Sequence, residues 1–267
     1  MKTTEKITSA KSFYNTIFKD DIYAKRVDHG SMLKWVKYLI DTKVNRSAES
    51  INILEIGCGR GYLQNLGPKY VGCDISIEAS RYLDKPFVCG DALALPFVDN
   101  FFDCVMSFTV LEHIPCPETA LSEMVRVLRS GGVLIIDAAW RVPPWRPWGL
   151  EVKAYEDLPI HKRFIKLIIP LLNYLWRNGI LRVPIRFIRE IKQLIKRDSL
   201  SLQYTSMNPN YGEFLLSDSD AIASIDNHTC ALWLYANGLK NENTSSLLSR
   251  VMLRCGPLIV VKSFSNI

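Results

Sequence analysis

Residues 51–61, Ile51 to Gly61, read INILEIGCGRG. Ile51, Ile53, Leu54 and Ile56 form a short apolar strand run, which breaks into three glycines at alternate positions, Gly57, Gly59 and Gly61. The backbone there must turn tightly and stay bare. A strand, a bare turn and a following helix make a seat for a nucleotide. The dinucleotide fingerprint Gly-x-Gly-x-x-Gly places its third glycine one position later, where this chain has Tyr62.

Moving outward, the segment Tyr62–Leu66 is expected to open a helix, and Tyr70–Ile75 (YVGCDI) reads as a second strand ending in Asp74. A carboxylate at the end of this strand faces a ribose in a doubly wound sheet, and Asp74 stands 17 residues past Gly57, near the ~20 expected for that role. Its other reading is a turn or helix N-cap, which Ser76 offers equally well. A helix over Ile77–Leu83 and a short strand at Phe87–Cys89 lead to Gly90-Asp91-Ala92. Asp91 at the third strand end is positioned to accept from an exocyclic amine, with Leu93 and Phe97 as apolar neighbours; alone, Gly-Asp is turn chemistry. Phe101–Phe108 is the fourth strand. A helix opened by Pro115 and Pro117 runs to Leu128, and Val133–Ala138 is the fifth strand. Near-continuous apolar strands alternating with helices imply a parallel sheet covered on both faces.

The series LEIGCGRG, CDIS, GDALALPF, FDCVMSFTVLEHI and EMVRVLRSGGVLII resembles the class I S-adenosylmethionine-dependent methyltransferases, in particular the small-molecule group with a Leu-Glu-His segment after strand four. The resemblance covers residues 51–139. It implies an α/β fold, a doubly wound Rossmann-like seven-stranded sheet, mostly parallel with the last strand antiparallel; beyond Ala138 the resemblance thins, and residues 140–218, too long for a structureless connection, read as a helical insertion after strand five. The resemblance also implies S-adenosyl-L-methionine as methyl donor. Glu55, Gly57, Gly59 and Gly61 would shape the methionine end of the pocket, Asp74 would hold the ribose, Asp91 and Ala92 the adenine, and Ser107 with Phe108 would border the transferable methyl. His113 is the candidate general base, because an imidazole titrates near neutrality. Its alternative is a packing histidine bonded to a neighbouring element.

Around this core the chain divides into an N-terminal helical cap (1–50), the cofactor-binding core (51–139), an inserted basic and aromatic cap (140–218) and a C-terminal completion of the sheet (219–267). In the cap at the N-terminus, Ser31–Asp41 is the clearest helix, with Ser31 as a candidate N-cap. In the last segment, Ser219–Asn237 reads as one helix and Pro257–Phe264 as a final strand, partnered near Leu239.

With 267 residues, 48% of them apolar, the chain can bury an enzyme-sized core. The polar start MKTTEKITSAKSF has no signal-peptide core, and no stretch reaches the ~18 apolar residues of a membrane span. Seven cysteines without a Cys-x-x-Cys pair fit buried thiols in a reducing, cytoplasmic setting. Four scattered histidines give no metal-ligand spacing, and no divalent ion is expected.

Four of the six tryptophans, Trp140, Trp145, Trp148 and Trp176, fall in the insertion, marking either an acceptor pocket or a helical core of its own. Residues 161–197 carry ten Lys or Arg against Glu190 alone, +9 of a total of +6, so the rest of the chain is at −3. From Pro184, Phe187, Ile188, Ile191, Leu194 and Ile195 alternate with Arg186, Arg189, Lys192 and Lys196 as two helical faces. Such a helix suits an anionic membrane surface; its alternative packs the apolar side on the cap and leaves a solvated basic face. The acceptor expected is accordingly a small molecule, lipid-linked or sugar-bearing, met at the membrane surface. No specific nucleic acid partner is expected. Ser107-Phe108-Thr109-Val110 replaces the Asp/Asn-Pro-Pro-Tyr/Phe of enzymes that methylate amino groups of bases and side chains. A nicotinamide oxidoreductase lacks its glycine spacing here, and a catalytically silent cofactor-binding protein is the remaining alternative.

Overall fold

The computed structural model describes residues 3–19, 29–44, 50–178, 182–195, 201–212, 217–241, 246–253 and 256–263. In chain order the elements are helices α1 (Thr3–Lys19) and α2 (His29–Lys43), strands β1 (Ile53–Ile56), β2 (Tyr70–Asp74), β3 (Phe87–Cys89) and β4 (Phe102–Phe108), helix α3 (Pro117–Val127) and strand β5 (Leu128–Asp137). There follow helices α4 (Ile160–Asn178) and α5 (Val183–Ile195), strands β6 (Tyr204–Ser206) and β7 (Ala223–Ile225), helix α6 (Asn227–Ala236), strand β8 (Leu239–Asn241), helix α7 (Leu247–Val251) and strand β9 (Leu258–Lys262).

Seven strands form one sheet in the order β3-β2-β1-β4-β5-β9-β8. β1 pairs in parallel with both β2 and β4, β5 continues in parallel, and β9 runs antiparallel between β5 and β8. Chain order reverses between β1 and β4, which opens the crevice where such sheets bind ligands. Alternate residues feed two cores: Ile53, Met106, Ile135 and Ile259 pack toward α2, while Leu54, Val105, Leu134 and Val260 pack with residues of α3 and α6. That two-sided burial is why the strands read as unbroken apolar runs.

Several local expectations are corrected. Ser31 lies inside α2, which begins at His29, so it does not cap the helix. The helices read after β1 and β2 are only 3₁₀ segments, Gln64–Leu66 and Ile77–Tyr82, each followed within a few residues by a proline, Pro68 and Pro86, that cannot continue a helix. The strand expected from Val133 begins at Leu128, with a register irregularity through Ser130-Gly131-Gly132. Ser219–Asn237 is not one helix. Ala223–Ile225 pairs antiparallel with Tyr204–Ser206, and α6 starts afresh after Asp226, whose side chain accepts from the His228 N–H. Cys255, Lys196, Arg197 and Phe264 lie outside the described residues, as do the side chains of Leu194 and Ile195.

In the 140–218 segment, Trp145 and Trp176 pack edge to face, 5.6 Å between centroids, with Leu150, Leu158 and Ile169. Their indole N–H groups are bonded to Asn173 and to the Arg141 carbonyl, and that of Trp140 to the Gly256 carbonyl. Trp145 and Trp176 build a core of the insertion's own, Trp140 packs into the main core, and Trp148 is exposed.

Candidate active site

All three loop glycines adopt left-handed backbone, φ +69°, +48° and +64° at Gly57, Gly59 and Gly61. At Gly57 space is also decisive, because a Cβ there would stand 2.1 Å from Cγ2 of Val110. The loop thus lies directly on the segment leaving β4. Asp74, at the end of β2, accepts the Gly59 N–H at 3.0 Å and the Ser76 N–H at 2.9 Å, so its buried carboxylate braces the loop. Burial raises its pKa against the pull of these bonds. Glu55 is buried beneath the loop and accepts from the Tyr70 hydroxyl. Burial chiefly, with repulsion from Asp74, pushes its carboxyl up to about 8 despite that bond. Asp91 accepts the Leu93 N–H at 2.9 Å, an Asx turn that orients the half-buried carboxylate beside Ala92.

At the end of β4 the buried Ser107 hydroxyl has no hydrogen-bond partner among the described residues, Phe108 is half-buried, and Thr109 is held at φ +53°. Left-handed backbone at a β-branched residue is strained, and such strain clusters at ligand sites. His113 follows in a 3₁₀ turn, Leu111–His113. Its Nδ1 lies 3.2 Å from Oδ2 of Asp220, as an ion pair rather than an aligned hydrogen bond, and its Nε2 lies 3.8 Å from Oε1 of Glu112. The Tyr14 hydroxyl, from α1, donates to the same Asp220 oxygen at 2.5 Å, and its ring stands edge-on to the imidazole. Burial disfavours the imidazolium, but the carboxylates of Asp220, Glu112 and Asp218 outweigh it and raise the His113 pKa. Glu112, His113 and Asp218 also bring three ligand-type atoms within 4.8 Å of one another. A cation there would compete with the proton on His113.

The crevice therefore brings together Glu55, Gly57, Gly59, Gly61 and Asp74, with Asp91 and Ala92 after β3 and Ser107, Phe108 and His113 along and after β4. Over it lies α1: the Phe18 ring sits 3.5 Å from where a Cβ on Gly59 would be, the Tyr82 hydroxyl donates to the Phe18 carbonyl, and the Ser76 hydroxyl donates to Asn15. Asp220, Asp218 and Tyr14 escaped the sequence reading. The acidic Ser217-Asp218-Ser219-Asp220 run against the apolar Ala221-Ile222-Ala223 was the available signal.

Residues 54–136 match the methyltransferase domain family. The demethylmenaquinone methyltransferase of Beutenbergia cavernae is 36% identical over 121 residues, 43% of this chain and 50% of that protein. The ubiquinone/menaquinone biosynthesis C-methyltransferase of Hahella chejuensis is 31% identical over 170 residues, 57% of this chain and 68% of that protein. The chain belongs to the class I S-adenosylmethionine-dependent methyltransferases. Among solved structures it is similar to an S-adenosylmethionine-dependent methyltransferase of Thermotoga maritima, a possible histamine N-methyltransferase, with 29% identity, a TM-score of 0.36 and coverage of 42% of this chain and 52% of that one. The chain spans 50%, 58% and 61% of the length of three demethylmenaquinone methyltransferases that it matches. For a methyltransferase of this class, the left-handed glycine loop and the unpartnered Ser107 hydroxyl fit a cofactor at the β1–β4 crevice.

Proposed function

We propose that this chain methylates a lipophilic small molecule presented at an anionic membrane surface, with S-adenosylmethionine as donor. The carrying observation is the convergence of the bare glycine loop, Asp74, Asp91, Ser107 and His113 on the carboxyl ends of β1 to β4. In this reading Glu55 and the glycine loop hold the methionine end of the donor. A cationic group arriving there would draw the raised Glu55 carboxyl back to its ionised form. Asp74 holds the ribose, Asp91 and Ala92 the adenine, and Ser107 and Phe108 flank the methyl. The donor supplies an electrophilic methyl on a sulfonium. The chain's own residues align the acceptor, exclude water through α1, and take the acceptor's proton on His113.

The membrane part of the reading is supported by the surface of α4. Ile160, Phe164, Leu167, Leu171 and Tyr174 recur at helical spacing on one face, and Phe164, Leu167 and Leu171 are 67%, 68% and 61% exposed. Ile185, Phe187, Ile188 and Ile191 of α5 are likewise exposed. The alternative with the apolar side packed on the cap does not describe α5, which turns its charged Arg186 and Glu190 inward. No helix among the described residues is long and apolar enough to cross a membrane. Burying the three α4 side chains in an acyl boundary would contribute about 1–2 kcal/mol each, and each nearby Lys or Arg about 1 kcal/mol on an anionic leaflet. The named quinone methyltransferases among the relatives favour a quinol-type acceptor.

Two measurements test the proposal. Calorimetry should show micromolar S-adenosylhomocysteine binding and negligible NAD binding, with Asp74→Ala weakening it by about 1–3 kcal/mol; tight NAD binding would sink the donor assignment. A demethylated quinol in phosphatidylglycerol vesicles should gain one methylene in mass, and Phe164→Asp/Leu167→Asp/Leu171→Asp should abolish flotation with those vesicles. If wild type ignores anionic vesicles at low salt, the acceptor is met in solution.

A further inference from the structure

A cleft of about 150 Å³ lies between α5, the β6–β7 ribbon and the first turn of α6. It is walled by Arg182, Arg189, Tyr204, Ser224, Asp226 and Thr229. The volume is roughly five times one water's ~30 Å³ share of liquid, room for a phosphoryl group.

Arg182 feels the guanidiniums of Arg141, Arg186 and Arg189 beside the carboxylate of Asp226. Asp226 is already committed. Arg186 Nη2 donates to its Oδ1 at 2.5 Å and Arg186 Nε to its Oδ2 at 3.1 Å, whereas Arg182 is 3.7 Å away. Glu190, the acid on α5, is bidentate to Arg250 and faces His228. Arg189 has no hydrogen bond or ion pair among the described residues. Burial and the neighbouring cations lower the Arg182 pKa despite Asp226, a cost that a folded protein carries where an anion later offsets it. The Arg182 guanidinium is held in place, 4.6 Å above the Trp176 ring. The wall supplies hydroxyl donors as well, and the buried Thr229 Oγ1 has no partner among the described residues.

We infer that this cleft is a binding site for a phosphoryl group, taken by the Arg182 and Arg189 guanidiniums with the Thr229 hydroxyl. Planar guanidiniums match phosphate oxygens pairwise and suit partly desolvated sites. α5 presents Ile185 and Ile188 to the exterior, so the phosphate can come from a lipid headgroup as well as from solution. The site is independent of methyl transfer and is tested without turnover.

The probes are inorganic pyrophosphate, and vesicles of phosphatidylcholine with and without phosphatidic acid, all at matched ionic strength. Pyrophosphate should raise the melting temperature of the full chain relative to chloride. Arg182→Gln/Arg189→Gln should weaken its binding at least tenfold. Arg189→Gln alone, which removes no hydrogen bond or ion pair among the described residues, should fold normally and weaken binding several-fold. Thr229→Val should weaken it while leaving charge unchanged. A response to pyrophosphate identifies a site for free phosphates. A response only to phosphatidic acid vesicles, lost in Arg189→Gln, identifies a headgroup site. No response to either, or one that Arg189→Gln and Arg182→Gln/Arg189→Gln leave intact, overturns the inference.

Discussion

Replacing Arg186 by Met isolates one buried interaction of this fold. The guanidinium is 2% exposed; besides both oxygens of Asp226 it donates to Asn227 Oδ1 at 3.1 Å and to the carbonyls of Val251 and Leu253 at 3.0 and 2.8 Å. One side chain therefore ties α5 to the start of α6 and the end of α7. Met fills similar volume but leaves Asp226 charged and buried and two carbonyls without this donor. Removing one partner of a buried pair costs about 3–5 kcal/mol, most of it the uncompensated charge left behind. At about 2–4 °C per kcal/mol for a chain of this size, the melting temperature should fall by roughly 6–20 °C. Circular dichroism melts at neutral pH measure it, with Arg189→Gln as the same charge change on the same helix, expected within about 0.5 kcal/mol of wild type. Adding Asp226→Asn to Arg186→Met should recover part of the loss, since the stranded charge is gone. The reasoning fails if Arg186→Met melts within 2 °C of wild type while losing vesicle binding, because Arg186 would then be the surface cation that the sequence pattern suggests.

Other consequences can be measured directly. Burial works against the Glu190 carboxylate, but His228 and Arg250 hold it down at about 2, below its ordinary 4.5. A depressed folded-state pKa stabilises above the unfolded value, so Glu190→Gln should be less stable than wild type above pH 4.5, and the gap should shrink as pH falls and close near about 2. Gly57→Ala meets Val110 at 2.1 Å and needs a positive φ of 69°, so it should destabilise by about 2–4 kcal/mol in chemical denaturation, with Val110→Ala recovering only the steric part. If His113 is the base, its raised pKa puts the acidic limb of kcat above the unperturbed ~6.5. Asp220→Asn then moves that limb to lower pH, while His113→Gln lowers turnover about a hundredfold; a limb indifferent to both substitutions returns His113 to packing.

The sheet was legible because each of its devices is local. Gly57, Gly59 and Gly61 announce a turn that only glycine makes easily, and the runs ending at Asp74 and Phe108 are apolar enough to read as doubly covered strands. The same locality explains the errors. Helical periodicity in Ala221, Ile222 and Ile225 is also what a fully buried strand followed by a buried helix looks like, since Ala223–Ile225 and Asn227–Leu234 are all buried and leave no polar face to set a period. On α5 the amphipathic pattern was visible but its polarity was not. A charged stripe reads as solvent-facing until its partners are known, and those of Arg186, namely Asp226, Val251 and Leu253, lie 40 to 67 residues away. His113 was recognisable from its place after β4, whereas Asp220, 107 residues later, gains meaning only when the ribbon brings it back.

The ribbon and α1 meet at that same carboxylate. Ile222 donates its N–H to the Glu112 carbonyl, which holds Asp220 beside the 3₁₀ turn that carries His113. Lys6, nearly buried near the start of α1, donates to Ser206 at 2.9 Å and to the Met207 carbonyl at 3.3 Å, and Tyr14, two turns further on, donates to Asp220. Phe18, one turn beyond Tyr14, lies on the glycine loop. A single helix thus lies over the glycine loop and gives one oxygen of the carboxylate beside the imidazole its hydrogen bond. Without the Tyr14 hydroxyl the buried Asp220 carboxylate would keep less to satisfy it, so α1 contributes to the charge that faces His113.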